Sequence, residues 1–199
     1  MPSDFAFRFI LLALVIIDLS MPVYFRRKAA AATGRPPGGH RCRFFMAERL
    51  LTIACYCGIV VYAADPRLMA WSQIALPSGV RAVGAAMACL AIIGFFWAFR
   101  HLGHNLLPDT PIADRALVTT GPYGRVRHPL YSAWAVLLTG YSLITASWAV
   151  AITGLAAIVI VARRTPAEEA GLQARFGDAY SEYAARTGRF LPRLRRLVV

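Results

Sequence analysis

The sequence predicts an all-α integral membrane protein with about five transmembrane helices, the last two a short hairpin, followed by cytoplasmic C-terminal helices. Three observations carry this. Hydrophobic residues make up 58% of the 199 and charged residues only 16%, with mean hydropathy +0.52, which excludes an ordinary water-soluble globule. The apolar residues gather into runs long enough to cross hydrocarbon. The basic residues, responsible for a net charge of +12, gather on one side of those runs, which assigns them to orientation and anionic-lipid contact and excludes a nucleic-acid binder.

The first three runs, Phe5 to Phe25, Phe44 to Ala64 and Val80 to Phe99, reach the roughly 20 residues a spanning helix needs. Residues 1–25 have no small-x-small cleavage site before the basic cluster, so they read as a retained helix. Asp18 within it is either a functional acid or the partner of a polar group on another helix. Thr33 to Gly39 is a loop by its breakers. Ala64-Asp65-Pro66 ends the second helix, and Pro77-Ser78-Gly79 precedes the third, where Gly84, Ala85, Ala86 and Ala88 suit close helix approach. Cys55, Cys57 and Cys89 lie in helices, with packing the expected role, and Cys42 lies in a loop; no zinc spacing appears. His101 and His104 share a helical face, but no third ligand is near, so no metal site is assigned. Pro108 to Pro111 is a loop, and Ala116 to Thr120 a short extended piece.

Tyr131 to Ile144 and Trp148 to Ala162 form the hairpin, turning at Thr145-Ala146-Ser147. Arg163-Arg164-Thr165-Pro166 is expected to open a separate cytoplasmic helix, with Thr165 as N-cap, Pro166 in the first turn and Glu168 completing a capping box. Phe176-Gly177-Asp178 is a break, with Asp178 capping a last helix to about Arg186. Phe176, Tyr180 and Tyr183 either pack back on a site or lie at the membrane surface. Five crossings and the one-sided arginines put the N-terminus outside and the C-terminus in the cytoplasm; the alanine- and arginine-rich composition points to a bacterial inner membrane. Residues 1–199 read as one membrane-embedded domain, a three-helix scaffold over 1–99 and the chemical half over 100–192.

That chemical half is marked by Leu117-Val118, Gly121-Pro122-Tyr123 and Arg127-His128-Pro129-Leu130-Tyr131, with Arg164-x-x-x-Glu168-Glu169 one helical hairpin later. This pattern resembles the isoprenylcysteine carboxyl methyltransferase family and its phospholipid N-methyltransferase relatives. The resemblance implies S-adenosylmethionine as cofactor, held by Ala116, Leu117, Val118, Tyr123, His128, Pro129, Leu130, Tyr131 and Glu168. It also implies Arg164 on the methyl acceptor, with Arg164 and Glu168 as the catalytic pair. The implied acceptor is an isoprenylcysteine-type carboxylate; a phospholipid amine or small hydrophobic thiol stays open. Membrane lipids are the other expected partners, and neither a metal nor an obligate protein partner is inferred.

The residue types suit that chemistry. Methyl transfer from a sulfonium loses charge separation on the way to its transition state, so positioning and water exclusion matter more than acid catalysis. Tyr123 and Tyr131 offer aromatic faces to a sulfonium. Arg164 can orient an anion by a forked pair, and Glu168 can hold an ammonium or take a proton. Arg125 reads as a lipid-phosphate anchor, and Arg127 as either an anchor or a structural hydrogen-bond donor. Sterol and steroid reductases carry a similar R-H-P-N-Y element with NADPH, but Leu130 stands in place of the asparagine and no acid follows Tyr131. A noncatalytic scaffold is the remaining alternative.

Overall fold

Seven-residue spacing explains the first helix. In α1 (Pro2–Thr33), buried Phe7, Leu11, Leu14, Asp18, Met21, Phe25 and Ala29 form one stripe at steps of three and four, the signature of a helix packed along its length. The stripe runs on through Ala29 and Ala30, so the helix continues past the apolar run that ends at Phe25, through Arg26, Arg27 and Lys28, all compatible with helix. It ends at Thr33, where the breaker-rich loop is expected to begin. The computed structural model describes residues 2–34, 46–106 and 116–193; Cys42, the breaker-rich stretch after Gly34 and the Pro108–Pro111 loop lie outside the described residues.

Helix α2 (Met46–Ala64) is followed by a 3-10 turn over Pro66–Ser72, capped by Asp65, whose side chain accepts from Arg67 N. Helix α3 (Ser78–Leu102) lies against α4 (Pro129–Thr145). A Cβ built on Gly84 would come within 2.8 Å of Gly140 O, and one on Gly140 within 2.7 Å of Gly84 O. Backbones this close need small residues at the crossing. Among the described residues, four helices, α1 to α3 and α5 (Trp148–Phe176), are long and apolar enough to cross a membrane. At 17 residues, α4 spans about 25 Å.

The hairpin is present, though only α4 is short. Ala146, in the left-handed region at φ +48°, makes the reversal, and Ser147 caps α5 through Val150 N. Helix α5 then runs unbroken to Phe176, which overturns the separate helix expected from Thr165-Pro166. Val150, Gly154, Ala157, Val161, Thr165 and Glu169 continue one buried stripe, and packing along it outweighs the missing amide of Pro166. Thr165 is not a cap: its hydroxyl donates back to Val161 O at 2.7 Å. Glu168 consequently has no capping role. Gly177, at φ +52°, separates α5 from α6 (Asp178–Arg186), and Gly177 rather than Asp178 occupies the cap position.

Asp18 accepts a hydrogen bond from Tyr56 on α2, the interhelical pairing that was one of its two readings. Cys55 is buried, whereas Cys57 and Cys89 are exposed on the outside of the bundle, so packing accounts for only one of the three. Arg81 is buried in the first turn of α3 and donates to Ile144 O at the C-terminus of α4. Exposed Trp71 and Trp148 meet edge to face at 5.3 Å at that same end, as aromatic anchors at a membrane interface do.

Candidate functional site

At the opposite end, the C-terminus of α3, the start of α4 and the second half of α5 meet α6. Gly121 opens a 3-10 turn over Gly121–Gly124 with φ +59°, and a Cβ there would fall 2.5 Å from the His101 ring. Glycine is thus required twice, by conformation and by space. His101 Nδ1 in turn lies 3.3 Å from the Thr120 hydroxyl, tying the end of α3 to this turn.

Residues 125–128 are held by the chain beyond α6. Arg127 N donates to Gly188 O at 2.8 Å, His128 N to Arg189 O at 3.1 Å and Gly188 N to Arg125 O at 3.2 Å, and Ser132 donates its hydroxyl to Phe190 O at 2.6 Å. Beneath this strap lies a charge cluster centred on buried Glu169. It accepts from Arg127 Nε at 2.8 Å and from Arg189 Nη2 at 2.6 Å, with His128 Nε2 at 3.3 Å. Arg127 also donates to Ala184 O and Thr187 O at the end of α6, so its role is structural. Burial holds the His128 pKa below its ordinary value, against the pull of Glu168 and Glu169, and its ring stacks on Tyr131 at 5.3 Å.

This frame borders a half-open chamber of about 310 Å³ whose lining includes Ala116, Leu117, Val118, Tyr123, His128, Pro129, Leu130, Tyr131 and Glu168. Every residue that the resemblance assigned to the cofactor is therefore brought together. Sequence reasoning missed Leu172 and Arg175 in its wall and left Phe176, Tyr180 and Tyr183 undecided; all five line it, together with Asn105. Two polar atoms of the lining, Asn105 Oδ1 and the Tyr180 hydroxyl, are buried with no hydrogen-bond partner among the described residues. Buried groups in that state call for a polar occupant. Tyr183 donates its hydroxyl to Tyr123 O at 2.8 Å, closing the wall between α6 and the 3-10 turn.

A second chamber of about 450 Å³ adjoins the first. Ile53, Phe95, Phe99, Trp134 and Val161 give it an apolar wall, and Glu48, Arg49, Thr52 and Arg164 its polar part; Leu130 and Tyr131 line both chambers. Arg164 thus faces the second chamber and Glu168 the first. Tyr131 stands between them: its hydroxyl donates to Glu168 Oε2 at 2.9 Å and accepts from Arg164 Nη2 at 2.9 Å, while the guanidinium lies over its ring at 5.6 Å. Glu48, which no sequence pattern linked to this site, pairs with Arg164 Nη1 at 3.1 Å.

Two chambers, the first with the more polar lining and the second the more apolar, share one tyrosine at one end of the membrane bundle. The chain belongs to the phospholipid methyltransferase family, whose profile matches residues 80–179, from the first turn of α3 to the first turn of α6. It is similar to the nickel-cobalt-cadmium resistance protein NccN of Alcaligenes xylosoxydans xylosoxydans, 28% identical over 124 residues, 62% of this chain and 55% of that protein. It is also similar to the cobalt-zinc-cadmium resistance protein CzcN of Cupriavidus metallidurans, 32% identical over 113 residues, 56% of this chain and 49% of that one. The chain spans about half the length of these curated relatives.

Proposed function

We propose that this membrane methyltransferase moves a methyl group from S-adenosylmethionine to a lipophilic acceptor at the cytoplasmic membrane face, with the N-terminus outside. The carrying observation is the Tyr131 wall, with Glu168 on its polar side and Arg164 on its apolar side. The donor set of the polar chamber fits the cofactor: a carboxylate for its ammonium, orphaned Asn105 Oδ1 and Tyr180 hydroxyl for its polar groups, and the Tyr123 face for its cation. When bound, the cofactor supplies an electrophilic methyl on sulfur. The protein's own task is to align the acceptor through the apolar wall, to keep water out, and to hold Tyr131 between two charged groups.

The family resemblance points to an isoprenylcysteine-type carboxylate as acceptor, with Arg164 as its counter-ion. One observation favours a second reading, a small hydrophobic thiol: Arg164 is already paired with Glu48. Incubation with labelled S-adenosylmethionine and a total lipid extract tests the activity and identifies the product. Glu168→Ala is expected to weaken S-adenosylhomocysteine binding, and Arg164→Ala to lower methyl transfer while that binding persists. Full activity in the double variant refutes the site. Stabilisation by NADPH in place of S-adenosylhomocysteine would instead identify a reductase.

A further inference from the structure

Glu48 is 6% exposed and sits in the apolar chamber, where an isolated carboxylate is costly. Its Oε2 lies 3.1 Å from Arg164 Nη1, yet this buried oxygen accepts no hydrogen bond among the described residues. Its charge is balanced while its lone pairs are not used. Such an oxygen is a site for a donor. The Tyr131 hydroxyl, one wall away, has its proton committed to Glu168 and receives one from Arg164, so it too presents an acceptor lone pair and no donor to the chamber.

Resting on the reading of this chamber as the acceptor cavity, we infer that it takes a lipophilic molecule with an uncharged head carrying an X–H donor, a hydroxyl or a thiol, bound to Glu48. A carboxylate head is rejected. It would bring a second anion beside Glu48 and compete for a guanidinium that Glu48 already neutralises. An ammonium head meets Arg164, whose Nη1 lies at the same oxygen that would receive it. The apolar wall of Ile53, Phe95, Phe99, Trp134 and Val161 accommodates the chain behind any of these heads, so the head decides. Glu48 is accordingly a specificity residue: it acts on which acceptor enters and not on how the cofactor is held.

The test uses the full chain in lipid nanodiscs with dodecanol, dodecanethiol, dodecyl methyl ether, dodecanoate and dodecylammonium at equal mole fraction. Apparent affinity is read from the shift in unfolding temperature. Dodecanol is expected to bind about tenfold or more tightly than its methyl ether, the effect of one hydrogen bond to a charged group, and more tightly than either ion; dodecanethiol separates a thiol from a hydroxyl preference. In Glu48→Gln, dodecanoate is expected to gain about tenfold or more, because Arg164 is released. An unchanged shift with S-adenosylhomocysteine reports that the variant is folded, and the wild-type ranking decides even if it is not. Tightest binding of dodecanoate or dodecylammonium overturns this inference alone. No shift with any probe, while S-adenosylhomocysteine still stabilises, overturns the acceptor cavity and the inference with it.

Discussion

Replacement of Glu169 by alanine is expected to cost about 3 kcal/mol of stability and to abolish S-adenosylhomocysteine binding, although Glu169 is absent from the lining of either chamber. The magnitude follows from what the carboxylate holds. Arg127 is largely buried and loses its only carboxylate among the described ion pairs; breaking one side of a buried pair typically costs 3–5 kcal/mol. Arg127 keeps Ala184 O and Thr187 O, which reduces the loss. Arg189 is 42% exposed in its side chain and returns to water, so its share is at most about 1 kcal/mol. Chemical unfolding in detergent, followed by loss of tertiary signal, measures the change, with Arg189→Ala as the small-effect control. A Glu169→Ala protein within about 0.5 kcal/mol of wild type, or one that still binds S-adenosylhomocysteine normally, refutes the view that this cluster builds the chamber.

Gly121→Ala is expected to weaken S-adenosylhomocysteine binding at least about tenfold. It places a Cβ at positive φ, which alone costs roughly 1–2 kcal/mol, and drives it into the His101 ring; unaltered calorimetric binding would show the turn to be free to relax. The pH dependence follows from His128. Burial lowers its folded pKa below 6.5, so its neutral form stabilises the fold fully above the unfolded value, and this contribution is lost as pH falls through the folded pKa. Unfolding temperature should therefore fall below about pH 6.5, and more steeply in wild type than in His128→Asn; equal slopes would assign the loss elsewhere.

That the residues of the first chamber's wall come together was legible because most of them sit in one contiguous stretch leading into α4, where a turn, a proline and two aromatics constrain the backbone locally. Arg164 and Glu168 were legible as a helical i, i+4 pair. Glu48 was not: it lies in the first turn of α2, far from Arg164 in the chain, and only helix packing brings the two together. Glu169 sat in plain view beside Glu168, but a one-residue step on a helix turns a side chain about 100°, from the chamber to the frame beneath it. The continuity of α5 was hidden by Thr165-Pro166, a local start signal overruled by a buried stripe that extends on both sides of it.

The strap beyond α6 also sets a timetable. Thr187 and Arg127 are sixty positions apart, so at 5–20 residues per second the end of α6 leaves the ribosome about 3–12 s after the segment it must grip. During that interval α1 to α4 have been made, while Arg127 lacks the Ala184 and Thr187 carbonyls and the amides of Arg127 and His128 lack Gly188 O and Arg189 O. The bundle can assemble in lipid before its first chamber exists, and a nascent chain stalled before Gly188 should be a membrane-embedded bundle without that chamber.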